Sequence, residues 1–488
     1  MKHGRTRTLK GTKRFLIKSG TGSNLSEADS DYTIVVDDYR TETETEDSRL
    51  IKYKRGVLND LFGQSPPPTV TALVELALGT YAADRLVKRG PSGAKDDGEE
   101  MLKSRQIQIL HPVADVEKWR PIEPELNHAI SFISRDNFQY RFIDAIDENQ
   151  SIDDGADGYR DQLPEADSIA LFSGGLDSLG GRFHLAEDGY NPHFVSVDHG
   201  RNVGHLVRNF DHLFDGDLTS IGVDEEFYAY EDTQFTRSFM YFAFAAAVAV
   251  ALDVDDIFVP ENGVLSRFSS LESGWTTTRT VHPLFVKSLN RIFDDLFPDR
   301  KLEISNPFLD YTKKEVVDRI PNKADIFFTR TCPHPRELSQ GKDASGHPYN
   351  CGECIPCLIR IIGLVNSEHK IQPDGLMLDK NHLLDFDFSK VNAENIAQPN
   401  QSRQSSLSVF LLGLNAHLSF AYRIQTSTQR ELVSSNPELL DPDILGLYER
   451  FSREIFQTVE FFAADNPTLE NYVTEFLSLE DEELANLC

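Results

Sequence analysis

Between residues 166 and 365 the chain alternates short apolar runs with longer helix-like ones, and this alternation constrains the fold more than any other feature. The runs SIALF, HFVSV, LTSIGV, DIFVP and LEIS have the length and composition of buried strands, and segments such as FTRSFMYFAFAAAVAVAL lie between them. Strands that alternate with helices predict a mainly parallel sheet covered on both faces. The expected fold is a doubly wound, Rossmann-like α/β fold.

The two regions that flank residues 166–365 have different patterns of strand-like and helix-like runs. Residues 1–150 mix strand-like runs with two helix candidates and predict an N-terminal α+β domain, followed by a Gly-, Asp- and Pro-rich linker from Ser151 to Asp167. Residues 366–488 lose the strand pattern and predict a mainly helical C-terminal region. The 488 residues exceed one ordinary domain, which agrees with this division into three.

The chain is strongly acidic, with 49 Lys and Arg against 78 Asp and Glu, a formal net charge of -29 and a pI of about 4.8. Binding to free nucleic acid needs concentrated positive charge that displaces counterions, so nucleic acid is not an expected partner. Such acidity is typical of proteins adapted to a high-salt cytosol, where screening weakens self-repulsion. An ordinary acidic protein is the alternative, and both stay open.

The sequence gives no sign of export or membrane insertion. No run of 18 or more apolar residues is present, and the basic start MKHGRTRTLKGTKRFLIKSG lacks the apolar stretch of a secretory signal. We therefore expect a cytoplasmic protein without a membrane partner.

Four of the five cysteines fall in one short region, at Cys332, Cys351, Cys354 and Cys357. A disulfide-rich secreted protein would distribute its cysteines along the chain, whereas successive C-x-x-C spacings are typical of a metal site. Four thiolates give Zn²⁺ a closed tetrahedral shell, so the zinc is expected to be structural rather than catalytic. Reduced cysteines without a metal are the alternative, and His334 and His347 are alternative ligands nearby.

The loop SGGLDS follows the strand-like run SIALF and precedes a helix-like segment. Its glycines allow a tight turn that exposes backbone N–H groups where the positive end of the next helix also points, which suits phosphate. Asp177 could hold Mg²⁺ or cap the helix, and a Gly-Gly turn that binds no ligand is the alternative. The residues expected to bind the phosphates are Ser173, Gly174, Gly175, Leu176, Asp177 and Ser178.

SGGLDS resembles the SGGxDS loop of the PP-loop ATP pyrophosphatases, which bind the pyrophosphate part of ATP at this loop. Within that superfamily CGECIPCLIRIIG, with Arg360 and Gly363, resembles the C-x-x-C-x-x-C-x-x-R-x-x-G signature of 7-cyano-7-deazaguanine synthases. The resemblance implies an enzyme that activates a carboxylate as an adenylate, releases pyrophosphate and passes the acyl group to an amine. It implies ATP, Mg²⁺ and Zn²⁺ as cofactors.

Further matches lie between the two signatures. The segment DHGR resembles the family segment near the base and ribose, which places Asp198 and Gly200 among the nucleotide-binding residues. Arg237 matches an Arg-Asn pair in which Ser238 replaces the Asn, and Lys313 in TKKE matches a TKxE segment that could reach the phosphates. The catalytic residues that the resemblance implies are Asp177, Ser178, Lys313 and Arg237.

Two departures narrow the resemblance. PENG, from Pro260 to Gly263, stands where free synthases have an Asp- and Tyr-rich substrate segment, and the N-terminal region is long. Both features resemble the QueC-like proteins of Qat anti-phage defence operons, the QatC branch. The expected enzyme thus activates a 7-carboxy-7-deazaguanine-like carboxylate, with protein partners from the same operon, and its amine is either ammonia or the N-terminus of a partner protein.

Three other functions fit parts of the sequence. A free 7-cyano-7-deazaguanine synthase would use the same loop and cysteines and release a nitrile. A tRNA-modifying thiolase or lysidine-type ligase fits less well, because zinc would occupy the clustered thiols, only Cys488 would remain and the surface is acidic. A non-catalytic ATP-binding scaffold would bind ATP without releasing pyrophosphate.

Overall fold

The structure of the chain is a computed structural model that describes residues 12–19, 30–39, 49–88, 104–145, 165–199, 207–231, 234–267, 279–332, 350–376, 378, 380–391 and 406–487. Its strands are β1 (Lys13–Ser19), β2 (Tyr32–Asp38), β3 (Arg49–Tyr53), β4 (Gln106–Val113), β5 (Asn137–Asp144), β6 (Ser168–Leu171), β7 (Pro192–His199), β8 (Leu218–Glu226), β9 (Asp256–Phe258) and β10 (Glu303–Ser305).

The first helices are α1 (Arg55–Phe62), α2 (Pro68–Leu86), α3 (Val116–Trp119), α4 (Glu123–Ser134), α5 (Leu176–Glu187), α6 (Arg237–Leu252), α7 (Gly263–Arg267) and α8 (Pro283–Leu296). The later helices are α9 (Lys313–Val317), α10 (Lys323–Phe328), α11 (Ile355–Asn366), α12 (His382–Asp385), α13 (Ser406–Thr426), α14 (Gln429–Ser435), α15 (Pro442–Ala463) and α16 (Pro467–Leu487). Among the described residues, no helix is both long and apolar enough to cross a membrane.

The ten strands form one sheet in the order β10-β9-β6-β7-β8-β3-β2-β1-β4-β5. Neighbouring strands are parallel everywhere except at the β3–β8 pair, which is antiparallel. The fold is therefore α/β with a mostly parallel sheet, as the alternation of strands and helices predicts. The expected helical C-terminal region corresponds to α12–α16 among the described residues.

The N-terminal region differs from the α+β layout that its sequence suggested. Strands β1–β5 pair with one another only in parallel, and they continue the same sheet as β6–β10. Parallel neighbours need a crossover of about a dozen residues, and the intervals between β1, β2 and β3 are of that length. The sequence gives no local sign of this parallel pairing, because no regular helix-like run separates the first three strands.

The two faces of the sheet carry separate cores. One core contains α2, α4, α6 and α8, and it spans strands of both halves. The other contains α5, α11 and the C-terminal helices α13, α15 and α16. Helix α6 is apolar on almost all sides, which is typical of a helix enclosed by protein, and it packs against both the sheet and α2.

Candidate functional site

The loop SGGLDS lies at the point where the strand order reverses. From β6 the chain proceeds to β7 and β8 on one side, and β9 and β10 lie on the other side. Gly174 has a φ of 74°, a left-handed conformation that favours glycine, and Gly175 is the N-cap of α5. Ligands of open α/β sheets bind in the crevice outside the carboxyl ends of strands at such a point.

The loop is held by hydrogen bonds on both of its sides. The Ser178 hydroxyl donates to the Gly175 carbonyl over 3.1 Å and lies 3.4 Å from the Ser173 hydroxyl. The Arg330 N–H donates to the Gly174 carbonyl over 3.1 Å, and a Cβ on Gly175 would lie 3.3 Å from the Arg330 carbonyl oxygen. The segment that leads to the cysteines thus braces the loop directly.

A buried polar cluster lies beside the loop. Lys313 is 1% exposed, and its ammonium group is ion-paired with Oδ2 of Asp177. The Asn262 amide donates to the same oxygen over 3.3 Å and to Oε1 of Glu261 over 3.1 Å. Oδ1 of Asp177 is buried and has no hydrogen-bond partner within the described residues. Burial and the adjacent Asp177 carboxylate raise the pKa of Glu261 well above its usual value, so this carboxyl group holds its proton more readily than an ordinary glutamate.

Two glycines allow the helices around Lys313 to approach closely. A Cβ on Gly363 of α11 would lie 2.4 Å from Cγ of Lys313, and a Cβ on Gly180 of α5 would lie 2.8 Å from the Val316 carbonyl oxygen of α9. Larger residues at either position would displace backbone or the Lys313 stem. Gly363 in the cysteine signature therefore has a physical role, because it makes room for Lys313.

The C-terminal region supports the helix that carries Lys313. Thr312 and Glu315 form a capping box at the start of α9, and the Thr312 hydroxyl donates to Glu454 of α15 over 2.6 Å. Arg450 of α15 pairs with Glu315 over 2.8 Å. Helix α15 is thus part of the framework of the site.

This contact predicts a pH-dependent stability. Burial raises the pKa of Glu454 to about 8, so the folded protein retains a proton that the unfolded chain releases. The free energy of unfolding should therefore fall by about 2–4 kcal/mol as the pH rises from about 5 to about 8 and level off above that. Urea denaturation at several pH values in this range measures how the free energy of unfolding changes with pH. This change should be smaller in Glu454→Gln than in the wild type, and it should be unchanged in Glu460→Gln, which alters an exposed carboxylate on the same helix. An equal pH dependence of the free energy of unfolding in Glu454→Gln and the wild type would contradict the role given to Glu454.

A second group of polar side chains lies at the end of β7, which is the neighbour of β6, the strand that precedes the loop SGGLDS. Arg237, the first residue of α6, donates to Oε1 of Gln234 over 2.9 Å and lies 3.3 Å from Nε2 of His199, whose Nδ1 is 2.8 Å from the Tyr241 hydroxyl. Burial and the Arg237 charge lower the pKa of His199 to about 3, so the imidazole is neutral. Oδ1 of Asp198 is buried and has no hydrogen-bond partner within the described residues.

The four cysteines converge on one point. Their Sγ atoms lie within 4.8 Å of one another, with Sγ–Sγ distances of 3.7 Å for Cys351–Cys357, 4.0 Å for Cys332–Cys354 and 3.4 Å for Cys354–Cys357. A tetrahedral zinc with Zn–S bonds of about 2.3 Å places its sulfurs about 3.8 Å apart. The cluster could therefore hold a metal ion, and its dimensions fit zinc.

Hydrogen bonds connect the four-cysteine cluster with the loop SGGLDS, the candidate phosphate-binding loop. Arg360, fully buried on α11, donates to the hydroxyls of Thr329 over 2.8 Å and of Thr331 over 3.3 Å. The Asn350 side chain accepts from the N–H groups of Thr331 and Cys332. These bonds fix the segment from which Arg330 braces the loop.

The structure brings the expected residues into three groups. The loop and Lys313 form the first, Asp198 and Arg237 the second, and the cysteines the third; no hydrogen bond joins Arg237 to the loop in the described part of the chain. Leu176 is 1% exposed and its side chain is part of the hydrophobic core, so that side chain does not face a ligand. Gly200, His334, His347 and Cys488 lie outside the described residues.

Glu261, Asn262 and Glu454 belong to the site although no contact was predicted for them from the sequence. A signal existed for the first two, since PENG follows a strand that pairs in parallel with β6 and so must end at the same edge. No local signal pointed to Glu454.

A cavity of about 500 Å³ lies far from these groups, at the β4–β5 edge of the sheet, where Gln108, Gln139 and Arg141 line it. It contains none of the residues of the three groups. The candidate site is therefore defined by converging polar side chains and not by this cavity.

In comparisons with known proteins, no family model and no curated protein matches the chain. The fold and the site define an α/β protein with a glycine-containing loop at a switch point of the sheet and a four-cysteine cluster able to hold a metal ion.

Proposed function

We propose that the protein is an ATP-dependent adenylating enzyme of the PP-loop type. The observation that carries the proposal is the position of SGGLDS, at the carboxyl end of β6 where the sheet order reverses, with a buried lysine ion-paired to its aspartate. Backbone N–H groups of the loop and the first turn of α5 would bind the pyrophosphate part of ATP.

The substrate carboxylate oxygen attacks the α-phosphorus, and the bond between the α-phosphorus and the bridging oxygen breaks as pyrophosphate leaves with the bonding electrons. An amine then attacks the acyl carbon, AMP leaves and the amine loses a proton. Lys313 and the loop N–H groups would stabilise the charge on the phosphates, so positioning and electrostatics supply the catalysis. Oδ1 of Asp177 fits a Mg²⁺ ligand, because it is a buried carboxylate oxygen without a partner among the described residues.

The proposed carboxylate is of the 7-carboxy-7-deazaguanine type, and the proposed setting is a defence operon whose products supply the acceptor amine. The resemblance to the QatC branch supports both. Glu261 and Asn262 of PENG contact Asp177, so the segment that departs from the free synthases lies against the loop itself. We therefore propose that PENG alters the site at Asp177 and, through it, the capture of the amine. Zinc in the cysteine cluster is proposed to be structural, because four thiolates leave no open position on the metal.

The test is pyrophosphate release from ATP with and without 7-carboxy-7-deazaguanine, followed by intact mass measurement of each operon product. Carboxylate-dependent pyrophosphate and a mass added to a partner protein are expected. ATP binding without pyrophosphate would favour the scaffold, and free nitrile with no mass added to any partner would favour an ordinary synthase.

A further inference from the structure

The two halves of the sheet repeat one arrangement. Strands β1–β5 lie in the order β5-β4-β1-β2-β3 and strands β6–β10 in the order β10-β9-β6-β7-β8, which is the same order when each half is numbered from its own first strand. The third strands, β3 and β8, pair antiparallel. Because an antiparallel pair has a local two-fold axis, an approximate two-fold axis relates the halves.

The strand registers agree with this relation. Ser19, the last residue of β1, pairs with Val36 of β2. The β6–β7 register, in which Leu171 pairs with Val195, places Ser173 level with Val197 when it is extended by two residues. In both halves the valine of this serine–valine pair is followed in the sequence by an aspartate, and the serine is followed by a glycine. The end of β1 thus corresponds to the start of SGGLDS.

The helices obey the same relation. Helices α2 and α6 each connect the third strand of their half to the fourth, and they pack against each other. Helices α4 and α8 each lie between the fourth and fifth strands, and they also pack against each other. The N-terminal half therefore occupies the position that a second subunit has in a two-fold dimer joined through a sheet edge.

Helix α2 carries side chains from this half to the ends of β7 and β8. The Tyr81 hydroxyl donates to Glu225 over 2.5 Å, and its ring meets the edge of the His199 ring at a centroid distance of 6.3 Å. Arg85 pairs with the same Glu225 over 3.6 Å. Two consecutive turns of α2 thus contact the strand ends beside the candidate site.

The most buried of these contacts is made by Asp84. Its side chain is fully buried, and Oδ2 accepts from the N–H of Thr236 over 3.2 Å and from the Thr236 hydroxyl over 3.1 Å. Thr236 is the N-cap of α6 and immediately precedes Arg237. Oδ1 of Asp84 accepts from Arg105, so the carboxylate connects the two halves.

We propose that the N-terminal half acts in place of a second subunit and that Asp84 is the positioning residue through which it fixes Arg237 and His199. The carboxylate sets where α6 begins, and that start sets the direction of the Arg237 side chain. The catalytic consequence rests on the proposed function, whereas the positioning itself does not.

The chain offers a matched pair of variants. Asp136 also binds Arg105, over 2.6 Å, and is also buried, but among the described residues no hydrogen bond joins its carboxylate to α6 or to Thr236. Asp84→Asn leaves one oxygen to accept from both Arg105 and Thr236. Asp136→Asn weakens the hydrogen bonds to Arg105 and leaves those of Thr236 intact. Both variants should lower the urea midpoint.

Hydrogen exchange of the amides at the start of α6 is the decisive measurement. Asp84→Asn should speed exchange there about tenfold or more, and Asp136→Asn should leave it near the wild-type rate under conditions of equal global stability. Equal exchange rates at α6 in the two variants would overturn the proposal.

Turnover supplies a second readout. Asp84→Asn should lower kcat about tenfold, because it displaces Arg237 and His199 while the loop, to which α6 makes no hydrogen bond in the described residues, stays in place. An unchanged kcat in Asp84→Asn would overturn the role of this positioning in turnover. If the wild type releases no pyrophosphate, the proposed function fails while the exchange result still decides the positioning.

Discussion

Asp177→Asn is expected to lower carboxylate-dependent pyrophosphate release by about 10³-fold or more. The substitution removes the negative charge that holds Lys313 against the loop and leaves only a neutral amide oxygen for Mg²⁺. It also leaves a lysine that is 1% exposed without its ionic partner, which costs about 3–5 kcal/mol when a buried pair is broken. Loss of activity therefore has to be separated from loss of stability.

The double variant Asp177→Asn/Lys313→Met makes this separation. It removes both charges and replaces the lysine stem with an apolar chain of similar volume, so it should regain most of the lost stability and remain inactive. Urea midpoints measure the stability, and pyrophosphate release measures the activity. Wild-type turnover by a folded Asp177→Asn protein would contradict the assignment of the loop.

Local patterns were sufficient for the central part of the site. The apolar run SIALF, the two glycines and the following helix placed the phosphate-loop candidate on β6, because a turn with exposed N–H groups at this position depends only on neighbouring residues. The cysteine spacing likewise predicted the convergence of four thiols. Both features are encoded within short stretches of chain.

Long-range features could not be predicted in this way. The pairing of β3 with β8 depends on two strand edges that no local pattern marks as partners, so the single continuous sheet was not foreseen. Thr312 and Glu454 are 142 residues apart in sequence, and only packing of α15 brings them together. The Asp84–Thr236 contact depends on the same β3–β8 junction, since it joins the two halves.

The segment PENG lies between these cases. Its sequence marked it as a departure from the free synthases, and the parallel pairing of β9 with β6 places it at the loop. The sequence alone did not indicate in which direction the side chains of PENG point. The structure turns Asn262 towards Asp177 and brings Glu261 close enough for the two carboxyl groups to interact, so the departure alters the electrostatics of the loop aspartate itself.

Cys354→Ser is expected to release the bound metal and to lower the free energy of unfolding by several kcal/mol, because a structural thiolate site contributes its binding energy to folding. Cys354 is also the N-cap of α11, the helix that carries Arg360 and Gly363. A less ordered α11 should therefore disturb the loop through Thr331 and Arg330, and should disturb the packing of Lys313 through Gly363. Pyrophosphate release should fall together with metal content.

The matched control is Cys488→Ser, which makes the same chemical change at the one cysteine outside the cluster. Elemental analysis of protein purified without chelator should give one zinc per chain for the wild type and for Cys488→Ser, and a small fraction of that for Cys354→Ser. Chelator treatment of the wild type should reproduce the loss of stability at an unchanged sequence. A wild-type protein that contains no zinc, or a Cys354→Ser variant that retains metal and the wild-type urea midpoint, would show that the cysteines do not form a structural metal site.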